Sequence, residues 1–344
     1  MNIGDMRIGI VGGGVVGRAT ARTFLEHVKE VRVYDVVKER STHNFDDTIG
    51  RWDSSVDLVF LCLPTPQEQN SLGCYLGHVD DVCGELSRIQ AKGNYVLRST
   101  VPIGTTRRLR EKYNLPNLVH SPEFLTARCA VEDAHLPARN VIGEPDWKGD
   151  GPFRSVCANH LVRLYNLRFP GVPVYPLSSD ESEAVKLMQN SFFAVKVAFW
   201  NECRALADKM GLDWNSLLPA ILADGRIGSS HTKVPGPDGK RGFGGTCLPK
   251  DLANLIQCIQ DTGLRAPLCA AAHSRNQLMD RYEHSLEMQQ AIAIGERIER
   301  QILGTPLSQE KTWERLKERN DGMTVDAQLS IREAMASDIP FTQE

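Results

Sequence analysis

The 344-residue chain carries a net charge of -3 with both signs mixed along it, which excludes nucleic acid or an acidic membrane surface as its main partner. The most apolar run, FFAVKVAFW, is interrupted by Lys196 and is too short to cross a bilayer. The nine cysteines are scattered and odd in number, with no CxxC or HxxxH pairing. That pattern predicts reduced thiols in a cytoplasm, with neither a disulfide framework nor a bound metal.

A polar start gives way at once to strand-like sequence at Met6, so no signal peptide is expected. Short apolar runs predict strands at 7–11, 31–35, 58–63, 95–98, 118–121, 141–143 and 172–175. Several are apolar nearly throughout, as parallel strands covered on both faces must be, and helical stretches separate most of them. The expected fold class is α/β, with a Rossmann-like doubly wound sheet over residues 1–177. Ser178 and Glu181 then have capping-box spacing, opening one long helix that Gly211 stops. Along it Val185, Met188, Phe192, Val195, Phe199, Leu206 and Met210 recur at helical spacing and predict a buried stripe. Further helices are expected at 213–223, 249–262 and 266–302, so 178–303 reads as an all-helical domain. Between the first two of these, SSHTKVPGPDGKRGFGG (229–245) is rich in Gly and Pro, which predicts an irregular, exposed loop. From Gly304 the chain turns polar, and 304–344 is expected to be a helical or partly ordered tail.

Gly12, Gly14 and Gly17 form GxGxxG between the first strand and a helix. The first glycine allows a tight turn, the second lets the backbone approach a pyrophosphate at a helix N-terminus, and the third lets helix and strand pack closely. Asp35, at the end of the next strand, lies where an acid binds a ribose diol and repels a 2′-phosphate. The site therefore predicts NAD, with nearby Arg40 as the one feature that accommodates a 2′-phosphate instead. Four further segments carry polar chemistry. Ser99 and Thr100 follow a strand, as does Glu123 in SPEFL, and doubly wound folds bind ligands at that edge. Lys186 and Asn190 are four apart and share a helix face, where an ammonium and an amide can hold an oxyanion or simply meet solvent. Cys247, in GFGGTCLPKD, sits just before a helix whose first turn holds Pro249 and Asp251. The helix dipole and Lys250 would favour its thiolate, while an inert buried thiol is the competing reading.

Together these segments resemble the UDP-glucose/GDP-mannose 6-dehydrogenase family, from about residue 6 to about 276. The resemblance rests on GxGxxG with Asp35, LPTP (63–66), STVPIGTT, SPEFL continuing through Pro137, Arg139 and VIG (121–143), KLMQN (186–190), DGRIG (224–228) and GFGGTCLPKD. It implies NAD-dependent, four-electron oxidation of a primary alcohol of a sugar or nucleotide-sugar-like substrate to a carboxylate. Cys247 would carry a thiohemiacetal and then a thioester. Lys186 and Asn190 would steady oxyanions, Asp251 would help activate water, and Thr100 and Glu123 would serve acid–base and water-positioning roles. Gly12, Gly14, Val15, Val16, Gly17, Asp35, Arg40, Pro64, Thr65, Ser99, Thr100 and Lys250 would hold the cofactor. Phe124, Leu125, Lys186, Asn190, Arg226, Lys233, Phe243, Gly244 and Gly245 would hold substrate, with Arg226 reaching a neighbouring subunit. A homodimer built on the long helix is implied.

The chain departs from the family pattern in three places. Thr126-Ala127-Arg128 stands where a second Glu is usual, and His120-Ser121 replaces a small residue and Asn. The residues after 304 hold no strand–GxG–helix pattern for the family's third, nucleotide-binding domain, so a short member without it is expected. The loop 229–241, with Lys233, Lys240 and Arg241, is long and basic enough to hold an anionic substrate in its place. A two-electron hydroxy-acid dehydrogenase and a non-catalytic NAD-binding subunit of a larger complex remain the alternatives.

Overall fold

The computed structural model describes residues 3–42, 56–68, 71–125, 130–149 and 151–281. The expectations for Thr126, Ala127, Arg128, the far end of the last helix and the 304–344 tail fall outside the described residues. Packing divides the described residues into two compact units, those up to Val195 with Gly245–Ala270, and Lys196–Gly244 with 271–281.

The first unit alternates strand and helix: β1 (Arg7–Val11), α1 (Val15–Phe24), β2 (Glu30–Tyr34), β3 (Leu58–Leu61), α2 (Gly77–Arg88), β4 (Tyr95–Leu97), α3 (Thr105–Tyr113), β5 (Leu118–His120), α4 (Ala130–His135), β6 (Asn140–Glu144), α5 (Val156–Arg168) and β7 (Val174–Ser178). Every expected strand is present, with ends that differ by at most three residues. The sheet order is β2-β1-β3-β4-β5-β6-β7. All neighbours run parallel except β5 and β6, which meet antiparallel at His120 and Gly143.

Alternation along the strands builds two cores. Ile8, Ile10 and Phe60 turn to one face, where Phe24 of α1 and Leu161, Leu164 and Tyr165 of α5 cover them. Val11, Val59 and Leu61 turn to the other, under Val79, Cys83 and Leu86 of α2 and Leu109 of α3. Both faces being covered is why these strands read as continuous apolar runs. The chain leaves β1 for β2 on one side and reaches β3 on the other, so the switch point lies between β1 and β3.

The long helix α6 spans Ser179–Met210. Its start is the expected box: Glu181 Oε2 accepts from Ser178 N and Oγ at 2.8 Å each, and Ser178 Oγ accepts from Glu181 N at 3.3 Å. The expected buried stripe is not buried. Met188, Phe192, Phe199, Leu206 and Met210 are each more than half exposed, whereas Glu183, Lys186 and Asn190 are buried. Helical periodicity groups the apolar residues on one face, but it is the polar face that finds its partners within the chain.

The first of these partners is the N-terminus of α3. Its N-cap, Gly104, offers no side-chain acceptor. Glu183 supplies one from α6, accepting from Gly104 N at 2.6 Å, Thr106 N at 2.7 Å and Thr106 Oγ1 at 2.6 Å. In the second unit the rest of α6 packs with α7 (Trp214–Leu222). Trp200, Ala207, Trp214 and Val234 form its core, with the two indoles edge-on at 6.3 Å. Val234 and Thr232 are buried, so part of the loop expected to be exposed is instead folded in. Helix α8 (Leu248–Asp261) returns to the first unit, and α9 (Pro267–Arg275) runs into a π-turn at Asn276–Asp280. No helix among the described residues is long and apolar enough to cross a membrane.

Burial pushes the Glu183 carboxyl up to about 7, against the pull of its three donors. A carboxyl raised in the folded state adds stability that is complete below the unfolded value near 4.5 and is lost as pH rises through about 7. The stability of wild type minus that of Glu183→Gln, from urea unfolding, is therefore expected to fall by roughly 3 kcal/mol across that window. A difference curve flat with pH would contradict the assignment.

Candidate active site

A cavity of about 520 Å³ opens outside the carboxyl ends of β1 and β3, at the switch point. Gly12 and Gly14 line it, Gly17 packs beneath the turn, and the three act for separate reasons. Gly12 has φ +100°, and a Cβ there would lie 2.2 Å from Cys62 O. A Cβ on Gly17 would lie 1.8 Å from Gly12 O, so helix and turn touch there. A Cβ on Gly14 would meet nothing within 4 Å, because that position faces open space. Gly14 is also the N-cap of α1 and supplies no side-chain cap, which leaves the helix N-terminus free to receive a phosphate.

The walls collect the expected cofactor residues. Gly14, Val15, Val16, Asp35, Arg40, Pro64, Thr65, Ser99, Thr100 and Lys250 all line this cavity. Asp35 Oδ2 accepts from Gly13 N at 2.6 Å and Oδ1 from Val37 N at 2.8 Å. The carboxylate thus braces the glycine turn, and its remaining lone pairs are available to a diol. Ser99 Oγ bridges to Leu63, accepting from its N at 2.9 Å and donating to its O at 2.7 Å, while Thr65 Oγ1 donates to Thr100 O at 2.8 Å. These bonds fix the loops after β3 and β4 to each other. Arg98, just after β4, also lines the cavity, as do His78 and Asp81 of α2, to which no motif in the sequence pointed.

The same cavity reaches Glu123 and Cys247. Glu123 follows β5 and is buried; its Oε1 accepts from Lys186 Nζ at 3.1 Å and its Oε2 from Leu125 N at 2.5 Å. The Lys186 side chain is only 4% exposed, so this is an ion pair removed from water. One turn on, Asn190 Nδ2 donates to Asp251 Oδ2 at 2.6 Å. Lys250 Nζ donates to Asp251 Oδ1 at 2.5 Å, so both oxygens of this buried carboxylate are occupied. Cys247 is the N-cap of α8, and its carbonyl accepts from Asp251 N at 2.8 Å. Among the described cysteines it is the exposed one. By contrast, burial pushes Cys62 and Cys83 up to about 12.

Phe124 lies beside two cations, with Arg139 Cζ 4.1 Å and Lys186 Nζ 5.5 Å from its ring centre. The Leu125 side chain packs on Ala19, Ala130 and Ala134. His120 is fully buried, with Nδ1 2.8 Å from Ser182 Oγ and no partner for Nε2. Burial pushes it down to about 3, so it is a neutral imidazole. Gly245 has φ +74° and no neighbour within 4 Å of an added Cβ.

The other expected substrate residues lie in the second unit. Phe243 is buried, with its N donating to Asn276 Oδ1 at 2.8 Å and its O accepting from Asn276 Nδ2 at 3.0 Å. Gly244 lies against the Arg281 guanidinium, which an added Cβ would meet at 2.9 Å. Arg226 is a surface residue forked onto Asp224, and Lys233 is exposed. Arg241 is paired with Asp208 at 2.5 Å, so the loop is less freely basic than its composition implied.

Two sequence profiles match the chain: the NAD binding domain of the UDP-glucose/GDP-mannose dehydrogenase family at residues 37–165, and that family's central domain at 180–278. The UDP-glucose 6-dehydrogenase of Campylobacter jejuni is 30% identical over 278 residues, 73% of this chain and 67% of that protein. The chain belongs to this family. The UDP-glucose 6-dehydrogenase of Streptococcus pneumoniae is 27% identical over 74% of this chain and 69% of its own length. Among solved structures, a UDP-glucose dehydrogenase from the archaeon Pyrobaculum islandicum superposes with TM-score 0.68 at 26% identity, covering 86% of this chain and 71% of that one. The protein is thus an NAD-dependent dehydrogenase, and the glycine turn, the open N-terminus of α1 and Asp35 are the features that fit NAD.

The different duties of the glycines predict different failures. Gly14→Val should leave thermal stability nearly unchanged and weaken NAD binding by about 100-fold, since the side chain fills space the pyrophosphate needs. Gly17→Val should lower the melting temperature sharply, because the clash is with backbone. Thermal unfolding and NAD titration of both variants test this, and equal effects on stability would refute it.

Proposed function

We propose that the chain oxidises the primary alcohol of a nucleotide sugar, or of a related anionic sugar, to a carboxylate in two successive two-electron steps, with Cys247 as nucleophile. One observation carries the reading: the exposed cysteine, the cofactor walls and Glu123 meet in a single cavity, and Glu123 is ion-paired with the buried Lys186. Bound NAD supplies the hydride acceptor for each oxidation. Lys186 and the Asn190 amide receive the charge on the substrate oxygen as it becomes a carbonyl or an oxyanion. The Cys247 thiolate adds to the aldehyde carbon, forming a C–S bond and a thiohemiacetal. The second oxidation leaves a thioester on Cys247. Water then adds to its carbonyl, the C–S bond breaks, and the thiolate departs as the carboxylate forms. Glu123 and Thr100 position that water and relay its proton. Asp251 acts by holding Asn190 and Lys250 in place, the role its two occupied oxygens favour over direct contact with water. A two-electron hydroxy-acid oxidation would give an exposed cysteine at the cavity no task.

UDP-glucose is the first substrate to test, since the relatives above bear its name. Arg226 and Lys233 are assigned to its anionic part, with Arg226 serving a neighbouring subunit. The exposed row Met188, Phe192, Phe199, Leu206 and Met210 is assigned to a homodimer contact, which gives this apolar face a partner. A cytoplasmic setting would keep the free cysteines reduced.

With UDP-glucose and excess NAD, two NADH are expected per substrate consumed, and Cys247→Ser should block the second. One NADH per substrate, with Cys247→Ser as active as wild type, would overturn the mechanism. Phe199→Asp is expected to convert a dimer to a monomer in sedimentation equilibrium. A dimer that survives this change would remove the assignment of that face.

A further inference from the structure

We propose that Arg139 is a positioning residue for Lys186, acting through the Phe124 ring. This deepens the reading just given and rests on Lys186 serving the reacting oxygen. Arg139 immediately precedes β6 and stands in the family stretch 121–143, but the resemblance gave it no chemical role. Its guanidinium carbon lies 4.1 Å from the Phe124 ring centre, and one of its terminal nitrogens donates to Gln189 Oε1. Phe124 is the chain neighbour of Glu123. Gln189 lies three residues after Lys186, hence on the same side of α6. Arg139 therefore ties together the two segments that carry the Glu123–Lys186 ion pair.

The Lys186 ammonium spends one N–H on Glu123, at 3.1 Å, and lies 5.5 Å from the same ring. A lysine stem has four rotatable bonds and moves freely unless packed. The ring confines it, which leaves the remaining N–H groups in a fixed direction. Two cations near one ring repel each other, so the arrangement persists only where each is held elsewhere. Glu123 holds Lys186, and Gln189 holds Arg139. Gln189 being a neutral amide matters: a carboxylate there would offer Lys186 a competing partner one turn away.

The test uses the full chain with Arg139→Met, which keeps the apolar stem, and Arg139→Lys, which keeps a cation over the ring. In NAD-free protein, acetylation of Lys186 by acetic anhydride, followed by mass spectrometry, is expected to speed up about 5-fold in Arg139→Met. Lys112 and Lys209 should react at wild-type rates, which a general loosening of the fold would not allow. Arg139→Lys should restore most of the protection. With UDP-glucose and NAD, kcat should fall about 10-fold in Arg139→Met with KM for NAD unchanged. Unchanged acetylation of Lys186 in Arg139→Met would overturn the proposal. Should wild type fail to oxidise UDP-glucose, that substrate assignment falls, and the acetylation result still decides the role of Arg139.

Discussion

The constraint on which the site depends is that three polar side chains of one helix are buried, and each must find a partner. Glu183, Lys186 and Asn190 stand at i, i+3 and i+7 on α6, so they form one stripe. A buried charge or amide without a partner costs several kcal/mol, roughly the stability of a small domain. Each member is answered by a different part of the first unit. The N-terminus of α3 meets Glu183, the loop after β5 sends Glu123 to Lys186, and the first turn of α8 sends Asp251 to Asn190. The stripe therefore fixes in one stroke the placement of three segments distant in sequence.

That arrangement turns a stability requirement into the geometry on which the proposed catalysis relies. A buried ion pair is a poor way to gain stability, since desolvation offsets much of the attraction. It is a good way to fix direction, because neither partner has water to turn to. Lys186 and Asn190 are already oriented by their partners, as the oxyanion role proposed for them requires. The glycine turn works by the same logic on the cofactor side. Gly12 and Gly17 are spent on backbone contacts within the protein, which leaves Gly14 open to the cavity.

Much of this was legible in the sequence. The strands read as strands because both sheet faces are covered, and that demands apolar runs. The glycine turn, Asp35 and the loops after β3, β4 and β5 read as a site because parallel sheets present their carboxyl ends to ligands. What the sequence could not disclose was which face of α6 looks inward. Its apolar row and its polar row have the same helical period, and burial was assigned to the apolar one by the usual rule. The rule fails here because the partners that make the polar face buriable, Glu123, Asp251 and the α3 N-terminus, lie 61 to 79 residues away. Nothing local to residues 183–190 announces them. Arg139 stands in the family stretch 121–143, but its role was not legible for a related reason, as an arginine before a strand reads as a solvated surface residue until its neighbours are known.

The inversion of α6 also bears on how the chain is completed. The 32-residue helix buries Glu183, Lys186 and Asn190 together with small and aromatic residues such as Ala194 and Trp200, and leaves its row of five large apolar residues outside. Five large apolar side chains in one row exceed what scattered surface hydrophobics explain. The two faces are therefore not independent. Had the apolar row packed inward, Lys186 and Asn190 would point to solvent, where an ammonium and an amide are hydrated and undirected. Turning the polar row inward creates the site, and the same rotation puts the apolar row outside, where only a further surface can remove it from water. On this argument the role proposed for Lys186 and the homodimer proposed on the apolar row would be two consequences of one choice of helix rotation.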